Sequence, residues 1–358
     1  MTLHLSSLSW LALALGLAAA AWLLAAHRLS RLSAPAGRRL RVRAEDGWEV
    51  AVFHRAPAVR RFREPVVLAH GLGVTHRFMD FEPPWSLAHA LNDAGFDTYA
   101  VDFRGTGHSH RWWARHGVDE HVSLDVPAVV EAVRREAGAA QVLWVGHSLG
   151  GLIGLAAAGG PVARQLRGLV TLGSPVFLGP HPLLTRALWL GLLLSWPFRL
   201  RSSWVTLAAT PAVGRLHLPL AEVVMNPAHV PVEVQQKLSG RVLAPISHGV
   251  LRQLHDWVTS GEFRSRDGTV DYRARALALE LPVLFVGGSV DHLAPADGVA
   301  RAFEASASSD KTLKLFGCAH GHRMEYGHGD LCFGTGAPTE VFPVVRQWLA
   351  LRATPFTE

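Results

Sequence analysis

Five residues constrain this chain more than any others: Gly146-His147-Ser148-Leu149-Gly150, a G-x-S-x-G. The run before them, Gln141 to Val145, has the composition of a buried strand, and Gly151 to Ala158 after them reads as a helix. Strand, sharp turn and helix in that order make the motif a nucleophile elbow, with the serine hydroxyl presented at the carboxyl edge of a sheet. The flanking glycines let neighbouring backbone pass where a Cβ would clash. The competing reading is a glycine-rich turn that merely contains a serine, and the flanking elements argue against it.

The rest of the chain alternates around that point. Leu40–Ala44 and Trp48–Phe53 flank Asp46-Gly47, a hairpin signal. Pro65–Ala69 is continuously apolar, as a strand buried on both faces should be. Helical spacing over 85–94, a strand over 97–103, helical spacing over 122–137 and a strand over 166–172 follow. The alternation resumes at 282–288 (strand), 296–305 (helix), 312–316 (strand) and 338–351 (helix). This pattern predicts an α/β chain with a mostly parallel central sheet and helices on both faces.

The stretch 176–278 breaks the alternation and is expected to be a largely helical cap inserted between two sheet strands. Its first part, Leu183 to Leu200, is strongly apolar, but Arg186 at one end and Pro197, Arg199 and Arg201 at the other argue against a membrane span. A lid helix fits, lining an acyl pocket or touching a bilayer; plain core packing is the alternative. Val232–Leu238 and His248–Ser260 read as further cap helices. The expected organisation is an anchor and linker over 1–38, a first core part over 39–175, the cap over 176–278 and a second core part over 279–358.

Leu8 to Ala26 is an apolar run long enough to cross a bilayer core, with Trp10 and Trp22 near its ends. No lysine or arginine precedes it. Arg28, Arg31, Arg38, Arg39, Arg41 and Arg43 follow, so the positive-inside rule favours an uncleaved anchor with the remainder of the chain cytoplasmic. Export after signal-peptide cleavage near Ala25-Ala26 is the alternative. Ser33 to Gly37 reads as a linker. The net charge of +6 owes much to these arginines, which suit an anionic membrane surface. No nucleic-acid motif accompanies them. The two cysteines, Cys318 and Cys332, are too few for a disulfide framework.

A serine hydroxyl needs a base within hydrogen-bond reach, and the base needs a carboxylate to hold its tautomer and charge. In a strand–elbow–helix scaffold the order is serine, acid, histidine. Asp291, in Gly287-Gly288-Ser289-Val290-Asp291, follows the strand after the cap, where catalytic groups gather in open parallel sheets. Asp297 is the better helix-capping aspartate. Four histidines compete as base: His320, His322, His328 and, beside the acid, His292. Spacing after the last strand slightly favours His320. The cluster carries no metal-ligand spacing, so no metal or other cofactor is expected. The two oxyanion N–H donors are expected from Leu149 and from the loop after Pro65–Ala69, with Leu72 first and Gly73 second. His70 is expected to brace that loop, and Asp102 and Arg104 to form a structural pairing.

Together, His70-Gly71-Leu72-Gly73, Asp102-Phe103-Arg104-Gly105-Thr106-Gly107-His108-Ser109, Gly146 to Gly151 and Asp291 resemble the α/β-hydrolase superfamily, from about Arg39 onward. The tail Tyr326-Gly327-His328-Gly329-Asp330, with Glu340 to Pro343 and Trp348-Leu349, is similar to acid-lipase-like and polyester-synthase-like members, in which the histidine of H-x-D is the base. The resemblance therefore implies His328 as base, with His320 as the alternative. Ser148 departs from the cysteine of polyester synthases and from the aspartate of epoxide hydrolases and haloalkane dehalogenases. The resemblance implies an α/β-hydrolase fold and a Ser148-His328-Asp291 serine esterase or lipase working through an acyl-enzyme, and the apolar cap and leading helix point to a small-molecule, lipid-like ester. An acyltransferase on the same triad and a non-catalytic binding module are the alternatives. Oligomeric state is left open.

Overall fold

The computed structural model describes residues 7–33, 37–109, 116–179, 182–195, 202–216 and 219–356. Eight strands form one sheet: β1 (Arg38–Arg43), β2 (Glu49–Arg55), β3 (Val66–Ala69), β4 (Thr98–Asp102), β5 (Val142–His147), β6 (Leu166–Leu172), β7 (Val283–Gly288) and β8 (Lys311–Phe316). Their spatial order is β1-β2-β4-β3-β5-β6-β7-β8. The hairpin β1–β2 pairs antiparallel, as does β2 with β4, and every later pairing is parallel. Every residue of β3, β4, β5 and β7 is buried, which is why these strands read as unbroken apolar runs rather than alternating ones.

Helices cover both faces. Val126–Ala137, Leu149–Ala158 and Ala296–Ala305 pack one face, and Leu87–Asp93 and Val341–Ala350 pack the other. Residues 122–125, expected to be α-helix, form a wider π-turn over His121–Asp125 instead. Pro127, which has no N–H to give, sits in the first turn of the helix that follows. The wide turn carries a charge network. Asp125 is fully buried between Arg104 and His121, whose Nδ1 lies 3.0 Å from its carboxylate.

Between β6 and β7 the chain builds helices over Pro182–Ser195, Ser202–Ala209, Pro219–Val224, Val232–Lys237, His248–Ser260 and Tyr272–Leu277. Among the described residues, the helix expected to be a lid runs Pro182–Ser195. Trp196, Pro197, Phe198 and Arg199, expected within or just beyond it, lie outside the described residues. The helix has two faces. Leu188 is buried in the core that also holds Leu149, Val250 and Leu251, whereas Trp189, Leu190 and Leu193 are exposed.

The leading helix runs Ser7–Leu29 and is long and apolar enough to cross a membrane. Most of it is bare, with Trp10, Leu11, Leu13, Leu15, Leu17, Leu23 and Leu24 exposed. Its carboxyl end is seated in the cap. The Trp22 indole donates to the Ala208 carbonyl at 2.7 Å, Ala26 and Ser30 are fully buried, and a Cβ on Gly240 would collide with the Ser30 side chain. Most of the expected linker, residues 34–36, lies outside the described residues.

Candidate active site

Ser148 caps the helix Leu149–Ala158 with φ 52° and ψ −119°, the one positive φ on a non-glycine among the described residues. Such a conformation persists only where the surroundings enforce it. Here the Ser148 N–H donates to the Leu172 carbonyl at 2.8 Å, and its own carbonyl accepts from Gly151 N–H and from the Ser174 hydroxyl. The glycines of the motif are steric necessities. A Cβ at Gly146 would lie 2.4 Å from the Gly150 backbone, and one at Gly150 would lie 2.4 Å from the Ala69 carbonyl oxygen.

Asp291 and His328 meet. The His328 Nδ1–H donates to Asp291 Oδ2 at 2.9 Å, and both residues are buried. The other carboxylate oxygen accepts from the N–H groups of Leu293 and Ala294, each at 2.8 Å. The acid is thus held by the backbone independently of the histidine. Gly173, at the end of β6, passes beneath the pair; its Cβ would lie 3.0 Å from Asp291 Oδ2 and 3.2 Å from His328 Nδ1. His320 lies elsewhere, exposed in the short turn Cys318–His320, and His292 is exposed as well. His322 binds the backbone of Gly317. The loop from Tyr326 to Asp330, rather than the turn directly after β8, is the one that reaches Asp291.

Leu72 and Leu149 line one narrow cavity, together with Gly71, Gly73, Ile153, Ile246 and Val250. Leu149 opens its helix, so its N–H has no partner within that helix. His70 braces the Leu72 loop. Its Nδ1–H donates to the Gly71 carbonyl at 2.7 Å, and its Nε2 accepts from Phe103 N–H at 3.3 Å. Burial pushes the His70 pKa down to about 4, so the ring is neutral and can hold both contacts.

Asp102 and Arg104, expected to pair in a structural role, do not pair with each other. Asp102 is fully buried and binds the backbone N–H and Nδ1 of both His76 and His108. Burial works to raise its pKa, but these donors outweigh it and hold the carboxyl well below the usual carboxylate range. Arg104 is claimed by Asp125 and Asp46 and lies over the Trp48 ring. The loop after β4 is thereby fixed by charges, and His76, Asp46 and Asp125 reach it from elsewhere in the chain. Among the described residues, His76, Asp102 and His108 are also the one group whose ligand atoms gather as a metal site would need. The two Nδ1 atoms and the carboxylate are already engaged with one another and with backbone N–H groups, whereas His76 Nε2 is buried without a hydrogen-bond partner. His292, His320, His322 and His328 belong to no such group among the described residues.

Three residues near the serine escaped sequence reading. Ser174 holds the Ser148 carbonyl, Gly173 underlies the Asp291–His328 pair, and His147 touches His328. In the sequence, Gly173-Ser174 merely follow a strand, and His147 is the variable position of the motif.

Comparison with known proteins agrees with this fold. Residues 64–322 match the family model of the α/β hydrolase fold. A monoglyceride lipase of Saccharomyces cerevisiae is 26% identical over 301 residues, covering 82% of this chain and 86% of that protein. A tear acid lipase-like protein of Mesocricetus auratus is 34% identical over 106 residues, and the match spans only 26% of either chain. The crystal structure of a monoacylglycerol lipase from Paleococcus ferrophilus superposes with a TM-score of 0.56 at 21% identity, over 84% of this chain and 99% of that one, a likeness of fold. The chain belongs to the α/β-hydrolase fold family and groups there with hydrolases of the lipase and esterase type.

Proposed function

We propose that this protein is a membrane-anchored serine hydrolase that cleaves carboxylic esters of lipid-like acyl groups. The observation that carries the reading is the buried Asp291–His328 hydrogen bond in a site organised around the strained Ser148. In this reading Ser148 attacks the acyl carbonyl. His328, holding its Nδ1 proton on Asp291, takes the serine proton at Nε2 and returns it to the leaving alcohol. Asp291 stays ionised and stabilises the imidazolium. The N–H groups of Leu72 and Leu149 receive the oxyanion, and water then releases the acyl group from Ser148. No cofactor enters these steps.

The apolar lid supports a lipid-like substrate: Leu188 and Leu251 pack into the same core as Leu149, directly after the nucleophile. The seating of Ala26 and Ser30 supports an uncleaved anchor, because cleavage at Ala25-Ala26 would leave a charged amino terminus on a fully buried residue. The arginines after the helix favour a cytoplasmic catalytic domain.

The direct test is hydrolysis of p-nitrophenyl esters of graded chain length by detergent-solubilised protein. Ser148→Ala and His328→Ala are each expected to lower kcat by about a thousandfold or more. His320→Ala is expected to stay within about twofold, the scale of an exposed substitution away from the site. Full activity in Ser148→Ala sinks the mechanism, and loss confined to His320→Ala moves the base to that residue. For the anchor, alkaline carbonate washing of membranes should leave the intact chain in the pellet with its original amino terminus.

A further inference from the structure

His147 lies between the elbow and the base loop and is not needed by the triad as drawn. It ends β5, next to Ser148, and is buried. Its Nε2 lies 3.1 Å from the main-chain carbonyl oxygen of His328, and its ring stands 4.7 Å from the His328 ring and 4.5 Å from Phe78. Burial, with the neighbouring His328, pushes its pKa well below the usual value, so the ring carries a single N–H. The bond to His328 uses that hydrogen on Nε2. Nδ1 is left a bare acceptor, buried and without a hydrogen-bond partner. A Cβ on Gly71 would lie 3.0 Å from that atom and 3.2 Å from the Ser148 Cβ, so the oxyanion loop passes over the same ring.

A residue present only to fill space would not need to bury an orphan nitrogen, since a hydrocarbon side chain fills the same volume without that cost. We propose that His147 is a positioning residue, its Nε2–H clamping the His328 carbonyl so that the base loop, the elbow and the oxyanion loop are held on one ring. The proposal rests on the Ser148-His328-Asp291 reading. It puts the base's main chain under the control of the nucleophile's own strand, while Asp291 controls the base's side chain. A catalytic base that drifts by an ångström loses much of its rate advantage.

The test compares His147→Phe, which keeps a ring and removes the donor, with His147→Gln, which returns an N–H at similar reach. Both are assayed on a soluble short-chain ester and checked by thermal melting. His147→Phe is expected to lower kcat about tenfold or more with KM within about twofold, and labelling by a fluorophosphonate should slow in parallel. His147→Gln should recover to within about threefold of the native rate at a similar melting temperature. If Phe does not fold, His147→Met serves as the donor-less side chain. A native kcat without the donor overturns the clamp, as does a Gln variant as slow as a folded donor-less one. Ser148→Ala and His328→Ala run alongside. If they remain active, the triad reading itself fails; if they are dead while the donor-less variant runs at the native rate, only the clamp falls.

Discussion

Gly173, just past β6, has φ 58°, a left-handed conformation, and lies against the Asp291–His328 pair. Alanine there carries two separate costs. The left-handed backbone costs about 1–2 kcal/mol for any residue with a Cβ. The methyl group would also press on Asp291 Oδ2 and His328 Nδ1 at 3.0 and 3.2 Å, tighter than ordinary contact. Gly173→Ala should therefore lower stability by about that amount in urea unfolding, and lower kcat about tenfold by turning the imidazole. A variant that loses stability but keeps kcat would show that the pair tolerates the methyl group. In the sequence, this glycine is one strand terminator among many. Its second role comes from Asp291 and His328, more than a hundred residues downstream.

At the scale of elements, the leading helix is joined to the cap by Glu82. One carboxylate oxygen accepts from the N–H and hydroxyl of Ser33, just beyond that helix, and the other binds Lys237 at the end of the helix Val232–Lys237. Burial acts to raise the Glu82 pKa, but Lys237 and Ser33 together outweigh it and bring it down to about 2. Because the folded value lies below the unfolded one, this stabilisation is present above about pH 4.5 and is lost as pH falls toward 2. Glu82→Gln should thus lower the melting temperature at pH 7 by the equivalent of about 1 kcal/mol, the scale of a partly screened pair. The gap between the two proteins should narrow below about pH 4.5. An equal gap at every pH would assign the effect to lost packing. The leading helix was legible as a long apolar run, and the other as a short helix of the cap. The tie between them was not, because Glu82 shares no local pattern with either Ser33 or Lys237.

For the molecule as a whole, acid lability should begin with histidines rather than carboxylates. Burial is the largest cause that lowers the pKa of His70 to about 4, of His116 to about 4, and of His147 well below 6.5. Their folded values lie below the unfolded value of 6.5, so the unfolded chain binds more protons below that pH. Their contribution to stability is therefore complete above pH 6.5 and lost as pH falls toward 4. With all three engaged the slope approaches about 4 kcal/mol per pH unit. Burial raises the Asp330 carboxyl to about 6, so it gives up close to one proton on unfolding at pH 5, and thermal unfolding there should take up about two more protons net than unfolding at pH 8, as read by calorimetry in buffers of different ionisation enthalpy. Uptake near zero at pH 5 would mean that these rings are already charged in the folded protein.

Local sequence carried much of this protein. Period and composition marked the strands and helices, and a strand, a turn and a helix marked the elbow at Ser148. The order serine, acid, histidine pointed to Asp291 from position alone. These are readable because each depends on residues within a few positions of one another. Tertiary structure decided what lies between segments. Spacing after β8 leaned toward His320 and only resemblance pointed to His328; the fold puts His320 in an exposed turn and brings His328 to Asp291. It gave Asp102 and Arg104 partners on other loops, and it seated the end of the leading helix in the cap. Such contacts join loops that follow different strands, and the order and register of those strands in the sheet set which loops meet. That information is spread over the whole chain, so no single stretch of sequence displays it.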